Sequence, residues 1–180
     1  MKTPLQKVAI ITGASQGIGS ALVDAYRKLG YAVVANSRSI TPADDQHVLT
    51  VQGDIADPAT AERVVAAAID RYGHVDTLVN NADARVPSVL AALTKGGLQY
   101  ATKSLAIEYA ARGIRTNAVS PGTTNTPMHP REAHDTLAAL QPVGRLGELS
   151  DVVDAVMYLE NASFVTGEIL HVDGGMSAGH

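Results

Sequence analysis

Short unbroken apolar runs alternate with amphipathic stretches along the chain. Residues 7–12 form the first run, with Val8, Ala9, Ile10 and Ile11 in succession, and predict a strand buried on both faces. Helical spacing follows at 17–29, where Leu22, Ala25, Tyr26 and Leu29 share one face and Gly30 stops the helix. Further runs at 31–37, 47–51, 75–79, 114–119 and 168–172 predict five more strands. A helix is predicted at 58–72, with Asp57 as its N-cap, Pro58 at its first position and Gly73 at its end. Another spans 88–112, capped by Ser88 and ended by Gly113, with Leu98, Ala101, Leu105 and Tyr109 as its apolar side. A last helix at 151–159 has Ser150 as its cap. Residues 41–46 read as a polar loop containing Pro42. Residues 121–149 hold four prolines and little periodicity, the character of a functional lid.

This alternation of strand and helix is the pattern of an α/β fold, a doubly wound parallel sheet with helices on both faces. A single domain over residues 1–180 accommodates every element. In such sheets a ligand sits at the carboxyl ends of the strands. The unusual residues fall there: the turn Thr12-Gly13-Ala14-Ser15-Gln16-Gly17-Ile18-Gly19, then Asn36-Ser37-Arg38, Asp54-Ile55, Asn80-Asn81-Ala82 and Pro121-Gly122. The first is a strand–glycine turn–helix passage and suits a phosphate. Gly13 can take positive φ where the strand ends. The missing side chain at Gly17 lets a bound group approach the backbone, and Gly19 lets the helix pack close to the sheet. Free N–H groups of the first helical turn then face the anion, with the helix dipole behind them.

Composition narrows the chemistry. Hydrophobic residues make up 46% but aromatics only 4%, so the core is built from Ala, Val, Leu and Ile, as suits helices on a buried parallel sheet. The absence of cysteine excludes a disulfide framework, a thiolate nucleophile and a Cys-based zinc site. A formal charge of −4 argues against a nucleic-acid partner. No apolar run approaches a membrane span, and residues 1–7 lack the apolar core of a signal peptide, so a cytoplasmic protein with no membrane partner is expected. The six histidines form no convincing cluster. His129 and His134 flank Pro130 and His171 lies in the last predicted strand, so no metal site is predicted.

Taken together, these motifs resemble the short-chain dehydrogenase/reductase family. Thr12-Gly13-x-x-x-Gly17-x-Gly19 is similar to its cofactor turn. Asn80-Asn81-Ala82 is similar to its Asn-Asn-Ala-Gly motif, with Asp83 where the Gly is expected. Residues 114–122 resemble the strand and turn near the nicotinamide, Thr126-Pro127 completes a Pro-Gly-x-x-x-Thr-Pro pattern, and Val172-Asp173-Gly174-Gly175 resembles the C-terminal signature. The resemblance covers nearly the whole chain. It implies a Rossmann-like fold, a nicotinamide dinucleotide, a small alcohol or carbonyl substrate and a homo-oligomer. Carried over by position, Gly13, Ser15, Gln16, Gly17 and Ile18 would hold the pyrophosphate and adjacent ribose, with Gly19 closing the turn. Asp54 and Ile55 would contact the adenine, and Asn80 and Ala82 would line the adenosine side. Pro121, Gly122 and Thr126 would serve the nicotinamide end. Ser37 and Arg38 stand where the cofactor type is set. An acid there would accept from the ribose 2′-OH and repel a 2′-phosphate. This chain has no acid there and one Arg, whose guanidinium suits the phosphate, so NADP is favoured over NAD.

Two departures concern the chemistry. The family relies on Asn, Ser, Tyr and Lys, with Tyr transferring the proton and Lys lowering its pKa and holding the nicotinamide ribose. Lys95, in Lys95-Gly96-Gly97-Leu98, is similar to that Lys, but Ala91 stands four places earlier and Thr94 where a Ser commonly precedes the Lys. No Tyr-x-x-x-Lys exists anywhere in the chain. Moreover, only residues 83–87 separate the Asn-Asn-Ala motif from the next helix, where family members place a long helix and a strand bearing the Asn and Ser. Ser88 reads as a helix cap, not as a replacement hydroxyl. The sheet should therefore be one helix–strand unit shorter, in the order 3-2-1-4-5-6. Three functions stay open: an NADP-dependent oxidoreductase acting on an alcohol or ketone, with Lys95 positioning the ribose; a non-catalytic dinucleotide-binding or regulatory protein; and an interaction module without cofactor. The residues as written predict no efficient turnover.

Overall fold

The computed structural model describes residues 5–82 and 88–178, with side chains at 88–93 not described. The short join at 83–87, Asp83 within it, the capping side chain of Ser88 and the surroundings of Ala91 therefore lie outside the described residues. The chain forms two compact units, divided between residues 83 and 84.

The first unit carries β1 (Val8–Thr12), α1 (Gly17–Lys28), β2 (Ala32–Ser37), β3 (Val48–Gln52), α2 (Pro58–Tyr72) and β4 (Thr77–Val79). Its four strands are parallel and ordered β3-β2-β1-β4. Every residue of β1 and β2 is buried, as their unbroken apolar runs require. Val8, Ile10, Ala32 and Val34 form a cluster with Val64 and Ala68 of α2. By the two-residue period of a strand, Ala9, Ile11 and Val33 face the other side. There α1 packs on β1 and β2 with Leu22 and Tyr26 buried. Burying each large aliphatic side chain here contributes about 1.5–3 kcal/mol. Leu29, expected on the apolar face of α1, is half exposed because it is already the C-cap. Around α2 the predicted punctuation holds: Asp57 accepts from the Ala59 N–H at 3.1 Å, and Gly73 ends the helix at φ +82°.

The second unit carries α3 (Ser88–Tyr109), a 3-10 turn (Ala110–Arg112), β5 (Ala118–Pro121), a 3-10 turn (Arg131–Ala133), α4 (His134–Ala139), α5 (Leu149–Asn161), β6 (Ile169–Val172) and a final 3-10 turn (Met176–Ala178). Parallel β5 and β6 form a two-stranded sheet, on which α5 buries Val152, Ala155 and Leu159.

The first four strands follow the expected order, and within the second unit β5 pairs with β6. Four expectations need correction here. β5 begins later than expected. Arg115 instead donates to the carbonyls of Leu159, Glu160 and Val165, and Asn117 to that of Val165, which anchors this stretch by side chains. On α3 the stripe expected to be buried is exposed at Leu98, Ala101 and Leu105, whereas Thr102 and Ala106 are buried. Finally, α5 starts at Leu149 without Ser150 as its cap. The Asp151 carboxylate accepts from the Glu148 N–H at 2.8 Å and pairs with Arg145 at 2.7 Å. Residues 121–149, expected to lack periodicity, include α4 and the 3-10 turn before it.

Candidate functional site

The glycine turn at the end of β1 is tightly built. Gly13 has φ +64° and Gly17 φ +57°, values open to glycine at no steric cost. A Cβ on Gly13 would lie 2.9 Å from the Ala82 Cα and from the Asn81 side-chain amide. A Cβ on Gly19 would lie 2.1 Å from the Gly13 carbonyl oxygen, so the first turn of α1 rests directly on the glycine turn. Thr12 and Asn81 tie the turn to the end of β4. The Thr12 hydroxyl accepts from the N–H groups of Asn81 and Ala82 at 3.0 Å each. The Asn81 amide donates to the carbonyls of Thr12 at 3.1 Å and Gly13 at 3.3 Å. The sequence reading missed these two residues as the fastening of the site. Their signal was a hydroxyl closing a buried strand and an Asn doublet closing the neighbouring one.

Helix α1 begins at Gly17 behind Gln16, which makes no side-chain capping bond, and its first turn has no acidic residue. The N–H groups there have no partner within the helix and stand at its positive end. Ser15 and Gln16 are exposed and Ile18 is half-buried. A cradle that admits no Cβ at Gly13 or Gly19, with uncapped helical donors beside it, fits the pyrophosphate of a dinucleotide.

The end of β2 lies on one side of this turn. The Ala14 N–H donates to the Asn36 carbonyl at 3.0 Å, and the buried Asn36 amide donates to the carbonyls of Val51 and Gly53. Ser37 is buried, its hydroxyl accepting from the Ser39 N–H, while Arg38 is exposed. A cavity of about 230 Å³ opens beside them, lined by Ala14, Ser15, Ser20, Val23, Ser39 and Thr41 among others. Asp54 is exposed and its carboxylate accepts from the Ala56 N–H; Ile55 is half-buried next to it. Asn80 and Ala82 are exposed at the end of β4. The first unit thus gathers Gly13, Asn36, Asn81 and Ala82 around one turn through direct contacts.

The other predicted residues belong to the second unit. Lys95 is on α3 with an exposed side chain. Pro121 ends β5, and the Gly122 N–H donates to the Val172 carbonyl at 2.9 Å. The Thr126 hydroxyl accepts from the Met128 N–H at 3.3 Å. Among the described residues no group of three or more His, Asp or Glu side chains could hold a metal ion, and no helix is long and apolar enough to cross a membrane.

Known proteins share this plan. Residues 7–94 match the family described as short chain dehydrogenase, and residues 85–177 match the one described as enoyl-(acyl carrier protein) reductase. The chain is 30% identical to cis-4-hydroxycyclohexanecarboxylate dehydrogenase of Sinomonas cyclohexanicum over 243 aligned positions, covering 96% of this chain and 97% of that protein. The chain belongs to the short-chain dehydrogenase family. A 3-oxoacyl-[acyl-carrier-protein] reductase of Vibrio cholerae is also 30% identical, over 94% of this chain and 97% of its own length. The crystal structure of a 3-ketoacyl-(acyl-carrier-protein) reductase from Brucella melitensis complexed with NADH superposes with a TM-score of 0.85 at 27% identity, over 96% of this chain and 99% of that one. ElxO with NADP bound has the same fold, with a TM-score of 0.89 at 22% identity over 97% and 100% of the two chains.

These relatives place the chain in a family of NAD(P)-dependent oxidoreductases. They also bear on its length. An alignment of 243 positions that takes in 96% of a 180-residue chain leaves roughly 70 positions of the Sinomonas protein without a counterpart. The two family matches meet at residues 85–94, next to the expected missing helix–strand unit.

Proposed function

We propose that this chain is an NADP-binding protein of the oxidoreductase lineage, working as a single dinucleotide-binding domain, with little or no turnover of carbonyl substrates. The observation that carries the proposal is the Thr12–Gly19 turn, whose Gly13 and Gly19 leave no room for a Cβ and whose helix start lacks a side-chain cap. In this reading Gly13, Ser15, Gln16, Gly17, Ile18 and Gly19 take the pyrophosphate and adjacent ribose. Asp54, Ile55, Asn80 and Ala82 take the adenosine. Arg38, exposed beside Ser37 with no acid in 36–38, takes the 2′-phosphate through charge-assisted hydrogen bonds. Lys95, Pro121, Gly122 and Thr126 serve the ribose and nicotinamide end. When bound, the dinucleotide supplies or accepts a hydride.

The chain's own contribution to proton transfer is where it falls short. No tyrosine stands four residues before a lysine, and Ala91 has no proton to give. A positioned general acid contributes about 10²–10⁴-fold, so turnover should fall short of an intact site by about that factor. Titration of the purified chain with NADPH and NADH, followed by nicotinamide emission, tests the reading. Saturable binding, tighter for NADPH, is expected, with no NADPH oxidation above background across a panel of aldehydes and ketones. No saturable binding of either dinucleotide would leave only an interaction module.

Similarity to dehydrogenases over nearly the whole chain supports a second reading, an oxidoreductase acting on an alcohol or ketone. Carbonyl-dependent oxidation that is lost in Lys95→Ala would favour it. We also propose a cytoplasmic homo-oligomer. Support comes from α3, whose Leu98 and Ile107 are 61% and 82% exposed, and light scattering measures the assembly.

A further inference from the structure

We infer that the turn Asp173-Gly174-Gly175, with Gln141, is a positioning device for the segment 121–126, and so sets how the chain holds the nicotinamide end of its dinucleotide. The inference rests on the NADP reading above and concerns only the second unit.

Three stretches distant in sequence meet at this turn. The first is 121–126. The Gly122 N–H donates to the Val172 carbonyl, and a Cβ on Gly122 would lie 2.7 Å from the Asp173 Cα and 3.0 Å from its carbonyl oxygen. Backbone therefore rests on backbone at Gly122, and a shift of Asp173 must shift 122. The second stretch is the turn itself. The Asp173 carboxylate accepts from the Gly175 N–H at 3.0 Å and the Ser177 N–H at 2.9 Å, which folds the chain back while Gly174 and Gly175 take φ of +62° and +92°. The third is 141–143. The Val143 N–H donates to the Gly174 carbonyl at 3.1 Å, and a Cβ on Gly174 would lie 2.7 Å from the Val143 Cγ2 and 3.4 Å from the Gln141 Oε1. Gln141 is buried, and its amide nitrogen has no hydrogen-bond partner among the described residues. A buried unpaired amide is unfavourable, so an apolar residue of like size would serve stability better. What the Gln141 side chain supplies is bulk packed against the turn at Gly174.

The opposite side of 121–126 is fixed as well. The buried Thr124 hydroxyl donates to the Gly122 carbonyl at 3.1 Å, the Gly147 N–H donates to the Thr123 carbonyl and the Asn125 N–H to the Gly147 carbonyl. With the strand anchored by Gly147 on one side, the Asp173 turn decides the pose from the other. Asp173 and Gln141 thus act through 121–126 without touching the dinucleotide.

The test compares two ligands on the full chain. NADPH uses both ends of the proposed site, whereas 2′,5′-ADP uses only the adenosine end. Asp173→Ala should weaken NADPH about tenfold, the scale of lost charge-assisted hydrogen bonds, and leave 2′,5′-ADP within about twofold. Asp173→Asn, which keeps one acceptor oxygen, should recover part of the loss, and Gln141→Ala, which removes the side chain packed against Gly174, should reproduce a smaller NADPH-selective loss. Bound NADPH emission should shift toward that of free NADPH in Asp173→Ala. Equal weakening of both ligands would mean general destabilisation and overturn the inference, as would no change in either. A wild-type chain that binds 2′,5′-ADP as tightly as NADPH would overturn this inference alone. One that binds neither ligand would overturn the NADP reading and this inference with it.

Discussion

The two units spend their apolar residues differently. In the first, β1 and β2 are wholly buried between α1 and α2, and the glycine turn is pinned by Thr12 and Asn81. In the second, β5 and β6 are at most half-buried, and α3 buries Thr102 and Ala106 while Leu98, Leu105 and Ile107 stay exposed. The first unit holds the residues that would grip the adenosine half of a dinucleotide. The second holds Lys95 without the tyrosine that would use it. Dense burial goes with the proposed adenosine-binding residues, and sparser burial with the part that carries Lys95.

The largest effect that could break this comparison is at Gly19. Gly19→Val sets a side chain against the immovable Gly13 carbonyl, so a loss of about 3 kcal/mol or more is expected in urea unfolding, together with loss of nucleotide binding. A stable variant that still binds NADPH would show the turn to be far looser than described. Next comes a matched pair of truncations. Leu22→Ala, in the buried face of α1, should cost about 2–5 kcal/mol. Leu98→Ala, on the exposed face of α3, should stay within about 0.5 kcal/mol. Similar costs at the two sites would erase the contrast, and a large cost at Leu98 in a concentration-dependent assay would point to an assembly interface.

Arg38→Asp has a smaller expected effect on free energy but a definite direction. The NADPH/NADH affinity ratio should fall by about tenfold or more and pass below one, because a carboxylate repels the 2′-phosphate that the guanidinium would bind. An unchanged ratio would remove Arg38 from the site. The smallest effect is acid sensitivity. The Arg27 guanidinium donating to Asp45 holds that carboxyl below its ordinary 3.8, as Arg145 does for Asp151, and bonding from Ser177 does the same for Asp173. Groups lowered on folding contribute stability that is complete above pH 3.8 and is lost as the pH falls through their folded values. Two of the three lie in the second unit, so it should feel the loss more. Carboxyl titration by NMR checks this, and midpoints at or above 3.8 for Asp151 and Asp173 would contradict it.

Much of the fold was legible because local rules govern it. Unbroken apolar runs marked β1 and β2, and Asp57, Pro58 and Gly73 bounded α2 within the chain's own backbone. The candidate site was half legible. Gly13, Gly17 and Gly19 announced the turn, but Thr12 and Asn81 did not, since their roles depend on β4 lying beside β1 across some seventy residues of chain. On α3, periodicity named Leu98, Ala101 and Leu105 as the buried face, because spacing defines an apolar stripe but not whether another element covers it.

The sequence by itself determined the alternating α/β plan, the glycine turn and the absence of a Tyr-x-x-x-Lys pair, since each follows from residue type and spacing. Tertiary structure alone decided that β5 pairs with β6, which stripe of α3 is buried, and that Asp173 rests on the 122 backbone while Gln141 lies against Gly174. Those outcomes depend on which distant segments come into contact, and contact across a fold is set by packing that no local pattern encodes.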